Sequence, residues 1–388
     1  MADIRPFSGF RYDSRQAPLR RALCPPYDVI DAAQAAALRA DPVNAIHLEL
    51  PQGGAEKYDA AARLWAGWRG SGLLRQDAVP ALYVVEERFR AAGGARRRTG
   101  FLAALSVKPE HAACVLAHER TLAKPKEDRL KLLDAVRANI SPIFGLFSDP
   151  RGAVRAVLKK TAKTPPTARG RMKSGVSYRL WALSDPNAVA AIVKALAPRP
   201  VLIADGHHRY EVSRAYYQAH PSPGASTVLA YLCPEEDPGL VVLPTHRVVA
   251  GRELGVSTES LSRKRSCRSR AELLRRLAAS RNPYAYGFYD GRFQVAEPKS
   301  KDGCRSGLCV EWLGARLLAD VAPDRIRYTP DAAKAVAMAS DDSGTAVFVK
   351  PFAVTQIRKA VRAVGLLPPK STYFFPKMAT GLVFKSLE

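Results

Sequence analysis

The sequence predicts an α+β fold of mixed sheets with packed helices. Three observations carry this reading. Apolar runs alternate at the two-residue period of strands, other segments place apolar residues three and four apart as helices do, and strands follow one another directly as well as through helices. No period repeats along the 388 residues, and 47% of them are apolar, enough for two domains.

The elements follow in order. After PPYDVI (25–30), DAAQAAALRADP reads as a helix with Asp31 as N-cap and Pro42 as its stop. EKYDAAARLWAGWRGSG is a second helix, with Tyr58, Ala61, Leu64, Trp65 and Trp68 on one face and Gly70 and Gly72 closing it. Those tryptophans are expected in the core. ALYVVEERFR and TGFLAALSV form a hairpin whose turn, AAGGARRR, is basic. KEDRLKLLDAVRAN has helical spacing at Leu130, Leu133 and Val136 and closes at Asn139, before the strand SPIFGLF. Residues 151–173 hold a short helix and a loop; SYRLWAL is then a strand, NAVAAIVKALA a helix, and RPVLIAD a strand. STVLAYLC and LVVLPTHRVV are further strands, RAELLRRLAAS a basic helix, TAVFVKP a strand and VTQIRKAVRAVG a helix. LLPPKSTYFFPKMATGLVF ends the chain as a proline-punctuated loop and strand. The expected organisation is an N-terminal α+β part (1–150), a basic connector (151–183), a third part (184–250) and a C-terminal α+β part (251–388).

Sixty Lys and Arg against thirty-six Asp and Glu give a net charge of +24. The excess is concentrated: residues 151–183 hold nine basic residues and no acid, and residues 263–276 hold seven with one acid. Neither stretch interleaves aromatics for base stacking, so both read as solvated connectors, and a nucleic-acid partner is possible but not favoured. No run approaches the roughly eighteen apolar residues of a membrane span, and MADIRPFSGF lacks a signal pattern, so no membrane partner and a cytoplasmic location are expected. The six cysteines have no zinc spacing and read as reduced thiols.

The chemistry concentrates in VLIADGHHRYEVSRAYY (201–217), where a strand meets a helix. Asp205 reads as the N-cap, with Gly206, His207 and His208 in the first turn and Arg209 behind them. Cationic side chains at a helix N-terminus oppose the dipole, and a bound anion reverses that cost. The bland alternative is that Asp205 caps the helix and pairs Arg209 while neutral imidazoles hydrogen-bond. AHERTLAKPKEDR contributes His118, Glu119, Arg120, Lys124, Lys126, Asp128 and Arg129; LPTHRVV contributes Thr245, His246 and Arg247; PPKSTYFFPK contributes Lys370, Ser371, Thr372 and Lys377. No zinc-protease or P-loop pattern occurs.

IRPF, PPYDVI, HERT with KEDRLKLLDAVRANISPIFGLF, IADGHHRYE, LPTHR and KSTYFFPK resemble, in order and across nearly the whole chain, the domain-of-unknown-function 1015 family. DGHHRY alone also resembles the signature of the ParB and sulfiredoxin-like superfamily, whose members bind nucleotide phosphates at a helix N-terminus. Where sulfiredoxin has its catalytic cysteine, this chain has His207. Free-serine kinases belong to the same superfamily. The resemblance therefore implies a nucleotide-dependent phosphotransferase acting on a small hydroxyl substrate such as serine, with ATP or ADP and magnesium. In that reading Gly206, His208, Arg209, Lys126, Arg129, His246 and Arg247 hold the nucleotide. His207, Glu119 or Asp28 takes the proton, and Asp205 or Asp128 holds the metal. The alternatives are a ParB-type, nucleotide-switched DNA-associated protein, which lacks a visible reading helix, and a nuclease or phosphodiesterase.

Overall fold

The computed structural model describes residues 1–388 apart from 92, 120, 122, 252, 253, 255–261, 301 and 302, and apart from the side chains of 123 and 124. Arg120 and the Lys124 side chain thus lie outside the described residues. The chain forms two compact units that divide it differently from the four segments read above. One comprises Met1–Ala117, Thr121–Val241 and Pro376–Glu388; the other comprises His118–Arg120 and Val242–Phe375.

Among the described residues the first unit is built on a nine-stranded sheet. Its order is Val115–Leu116, Val201–Asp205, Ile143–Phe147, Thr227–Pro234, Gly94–Ser106, Leu82–Ala91, Ser177–Leu183 and Ala168–Arg171, with Ile4–Arg5 also paired to Gly94–Ser106. Pairing is antiparallel except where Val201–Asp205 meets Val115–Leu116 and where Thr227–Pro234 meets Ile143–Phe147. The two-residue alternation sends Phe101, Ile143, Trp181 and Leu232 to one face, where Val154, Leu158, Ile192 and Leu196 of the helices Ala153–Thr161 and Pro186–Leu196 cover them. The second unit carries a six-stranded antiparallel sheet under Arg270–Ala279 and Ala332–Asp341, whose Leu273, Leu277, Ala335 and Ala339 pack on Val248, Ala346 and Phe348. No helix among the described residues is long and apolar enough to cross a membrane.

The α+β expectation holds, and most of the helices stand where their signals placed them. Asp31 caps Ala32–Arg39 through Gln34 N–H at 2.8 Å. Lys57–Gly70 buries Ala61, Trp65 and Trp68. Both basic stretches, read as solvated connectors, are instead partly woven into sheets. Ala168–Arg171 is the edge strand of the large sheet, with Gly170 lying so close to Leu19 that a Cβ would come within 2.6 Å of it. Ser262–Cys267 is an edge strand of the second sheet. Edge positions tolerate this composition because charged side chains there keep other chains from pairing.

The basic hairpin turn differs most. Its arginines belong to the strand Gly94–Ser106, in register with Leu82–Ala91 up to the pair Ala91 and Gly94. That register sets Arg98 opposite Glu87, and both side chains are fully buried. The guanidinium donates from Nε and one terminal nitrogen to the two Glu87 oxygens at 2.7 and 2.9 Å, and donates to the Pro376 carbonyl at 2.7 Å. Its centre lies 4.8 Å from the Phe144 ring. Burial pulls the Arg98 pKa down, but Glu87 beside it holds the value above the ordinary one.

A buried ion pair is far more costly to halve than to remove whole. Arg98→Met should lower unfolding free energy by about 3–5 kcal/mol by leaving Glu87 uncompensated, whereas Arg98→Met with Glu87→Leu should recover most of that loss. Denaturant unfolding of the two variants measures the difference.

Candidate functional site

The strand Val201–Asp205 is buried along its apolar length and ends at Asp205, which pairs with Phe144 beyond a register shift. Gly206 then turns the chain into the helix His207–Ala219 with φ +86° and ψ 28°. Glycine is required here twice over. The φ is left-handed, and a Cβ would stand 3.1 Å from the Arg209 guanidinium. The expected capping by Asp205 does not occur, because Gly206 is the N-cap and no side chain caps the helix.

Asp205 is instead the centre of an ion cluster. One oxygen accepts from Arg209 at 2.7 Å, and the other accepts a short bond from Lys377 Nζ. Lys377 also bonds Asp28 at 3.1 Å. Arg209 donates to the Pro142 carbonyl at 2.5 Å. Burial pulls the Arg209 pKa down, but Asp205 and Glu49 together hold it above its ordinary value. Arg209 is therefore part of the scaffold as well as a candidate ligand. His207 is buried, and His208 is half-buried.

Asp28 sits in the short turn Tyr27–Val29, which is fixed from two sides. The buried Glu49 accepts from Tyr27 N–H at 3.0 Å and from the Ser141 hydroxyl at 3.1 Å, while the Arg129 guanidinium lies 4.4 Å from the Tyr27 ring. Burial pushes the Glu49 carboxyl up, against the opposing pull of Arg129 and Arg209. A cavity of about 40 Å³, lined by Glu49, Arg129, Ser141, Arg209 and Ser213, has room for a buried water.

Arg129 is tied to the Glu49 carbonyl at 2.7 Å and to Asp128 at 2.5 Å. Asp128 also accepts from Lys57 at 2.9 Å and Tyr58 at 2.8 Å. Burial raises the Asp128 carboxyl, yet the bonds from Lys57 and Arg129 hold it well below the carboxylate range. Lys126 bonds Glu211 at 3.1 Å, beside Thr121 on the same oxygen at 2.8 Å. Both aspartates read as metal ligands are thus surrounded by cations. Among the described residues no three His, Cys, Asp or Glu side chains converge as a metal-binding group.

Glu119, His246 and Arg247 belong to the second unit. Glu119 clasps the 370–372 loop, accepting from Lys370 N–H at 3.1 Å, from Thr372 N–H at 2.9 Å and from its hydroxyl at 3.0 Å; Lys370 is left-handed with φ 56°. The buried His118 Nε2 lies 2.8 Å from the Thr372 hydroxyl. Arg247 is buried and donates to the carbonyls of Thr245 and Lys370. Burial lowers its pKa despite nearby Cys309, Tyr328 and Glu119. His246 lies inside the sheet, with Nδ1 accepting from Val349 N–H at 3.3 Å and its ring 5.1 Å from Phe348. Burial, then Arg247, pushes its pKa down to about 4.

Of the residues expected at one site, the structure brings Asp28, Asp205, Gly206 and Arg209 together. It adds Lys377 and Glu49, which the sequence reading did not place there. Lys377 was grouped with the chemistry-bearing stretch PPKSTYFFPK but given no role, and Glu49 was visible only as an acid inside the apolar run AIHLEL, the one signal that it is buried.

A mixed α+β core with a glycine-capped helix and a buried ion cluster is the class that fold and site define. The chain belongs to the family described as a protein of unknown function, DUF1015, which matches residues 4–334. Among curated proteins none matches it. It is similar to several solved structures. A conserved hypothetical protein from Pyrococcus furiosus is 12% identical, covering 71% of this chain and 90% of that one, with a TM-score of 0.39. A free serine kinase in complex with AMP is 12% identical, covering 71% and 86%, with a TM-score of 0.38. SbnI with a C-terminal truncation, from Staphylococcus aureus, is 11% identical, covering 72% and 85%, with a TM-score of 0.42.

The His246 shift has a definite sign. The unfolded chain takes up a proton near pH 6.5 and the folded chain only near 4, so this contribution is complete above the first value and is lost as pH falls toward the second. Wild type should lose about 2.4 kcal/mol from this group between about pH 7 and about pH 4.5, and His246→Gln should lose correspondingly less. Denaturant unfolding at the two pH values checks it.

Proposed function

We propose that the protein is a phosphotransferase that takes its phosphoryl group from ATP or ADP and passes it to the hydroxyl of a small substrate such as free serine. The observation that supports this best is the cluster at the start of the His207–Ala219 helix, where Asp205 holds two cations, Arg209 and Lys377, against a left-handed glycine. Phosphoryl transfer needs positioned cations around the phosphates and a proton acceptor for the attacking hydroxyl, and little else from the protein.

In this proposal the nucleotide phosphates lie over Gly206, with His208 and Arg209 as donors. The phosphate charge draws the Lys377 ammonium, which at rest bridges Asp205 and Asp28. Asp28 is then left with one cation fewer and becomes the better base. The substrate oxygen bonds to phosphorus as the bond from phosphorus to the nucleotide's bridging oxygen breaks, and the hydroxyl proton passes to Asp28 or His207. Arg129 and Glu49 act by positioning the Tyr27–Val29 turn. Asp205 and Asp128 do not fit a magnesium ion as arranged, because cations already take their oxygens, and no step is written through one. The resemblance of DGHHRY to phosphate-binding signatures supports the same placement.

Calorimetric titration with ADP and ATP, paired with a serine phosphorylation assay, tests the reading. Lys377→Met should weaken nucleotide binding by roughly 10- to 100-fold, the value of a charge-assisted hydrogen bond. Asp28→Asn should bind nucleotide nearly as wild type while the catalytic constant falls by about 10²- to 10⁴-fold. His207→Asn separates the two candidate bases, since asparagine cannot accept the proton. Unchanged nucleotide affinity in a folded Lys377→Met protein would remove the proposal's central contact.

A further inference from the structure

Four neighbouring strands of the first unit bring arginines to one face, in a pattern that the register makes explicit. Arg88 stands directly opposite Arg97 on one side and Ser177 on the other, and Ser177 stands opposite Arg171. Two residues along, Arg179 stands opposite Arg169 on one side and Glu86 on the other, and Glu86 stands opposite Thr99. Arg90 continues the row on its own strand. Residues directly opposite share a face, as do residues two apart on one strand. This face therefore holds Arg88, Arg90, Arg97, Arg169, Arg171 and Arg179, and Glu86 is the one acid among these strand positions.

Glu86 is buried and lies 2.7 Å from Arg88, 3.8 Å from Arg179 and 3.9 Å from Arg97. One carboxylate thus serves three guanidinium groups whose side chains remain 49%, 39% and 66% exposed. Arg90, Arg169 and Arg171 are exposed as well. Like charges directly opposite across a sheet are destabilising, and this sheet carries two such pairs, Arg88 with Arg97 and Arg169 with Arg179. A solvated connector would not need that arrangement. Arg171 also lines a groove of about 520 Å³ with Arg20, Lys173 and the ion pair of Arg21 with Asp41, which adds positive charge beyond the sheet edge.

We propose that this arginine face binds the phosphate backbone of duplex DNA without reading its sequence. Phosphates supply negative charge beyond what the single Glu86 carboxylate offers. The row from Arg171 to Arg97 crosses three strand spacings, about 14 Å, close to the width of about 12 Å that separates backbones across the major groove of B-form DNA. None of these positions is aromatic, so the face lacks the aromatic platforms on which the bases of a single strand stack most strongly. The proposal is independent of the phosphotransferase reading, since none of its residues belongs to the Asp205 cluster.

The test uses the full chain and a short fluorescent DNA duplex, followed by anisotropy across a salt series. Two variants carry the same change in net charge: Arg88→Gln with Arg97→Gln on the face, and Arg263→Gln with Arg265→Gln on the basic strand of the second unit. The face variant should bind at least about 10-fold more weakly at low salt, with the slope of log affinity against log salt reduced by about 2. Its melting transition should remain cooperative, which shows that the variant is folded, but shift downward, because Arg88 and Arg97 are two of the three cations around the buried Glu86 carboxylate. The second variant should bind as wild type. Equal losses in both variants would show attraction by net charge alone and overturn the proposal. So would absence of binding by the wild type, tighter binding to a single strand of the same length, or equal sensitivity of the face variant on anionic lipid vesicles.

Discussion

The bidentate pair between Arg98 and Glu87 is the constraint on which the first unit's site depends. It stands in the middle of the large sheet with no exposure to water, so its energy comes from geometry and from the aromatic rings around it. Arg98 also donates to the Pro376 carbonyl, and Pro376 is followed by Lys377. A buried cation therefore fixes the backbone one residue before the lysine that meets Asp205 and Asp28. A hydrophobic pair could fill the same space, but it would offer Pro376 no donor.

The cluster around Asp205 is close to neutral, because two carboxylates balance two cations. Such a balance keeps cations at a helix N-terminus, where the dipole disfavours them, without exposing unpaired charge. The arginine face is built on the opposite plan, with one carboxylate under several guanidinium groups. A single chain thus contains a site where charge is compensated internally and a surface where it is left over. The excess of +24 is consistent with the second arrangement far more than with the first.

Periodicity made most of the fold legible. Asp31 could be read as a cap because its side chain acts locally, and the buried face of Lys57–Gly70 could be read because apolar spacing survives any tertiary context. Asp205 was misread for the complementary reason. A capping motif and an ion pair to a lysine 172 residues away look identical in one dimension, and only the long-range partner decides. The hairpin shows how a small error propagates. Reading AAGGARRR as a turn puts three arginines in water; tightening the turn around Gly93 and Gly94 extends the register and sets Arg98 against Glu87. Alternation within VVEERF already separates Glu86 and Glu87 onto opposite faces, so that signal was available. The positions of Lys377 and Glu49 were not, because each depends on contacts that no local pattern encodes.

The return of the chain's last residues to the first unit bears on how the protein is made. Lys385–Ser386 pairs with Ala138–Asn139, the Lys385 ammonium bonds the Gly224 carbonyl at 2.7 Å, and Phe384 packs against Trp65. A ribosome emits residue 241 and then roughly 135 more residues before Pro376 appears, a delay of about 7–27 s at bacterial or eukaryotic synthesis rates. Throughout that interval the nascent first unit lacks the carbonyl that Arg98 binds and the lysine that Asp205 binds. The Val242–Phe375 segment is free to fold during the wait. The part of the protein translated first is therefore finished last, and a nascent-chain chaperone would meet it with its ion cluster still open.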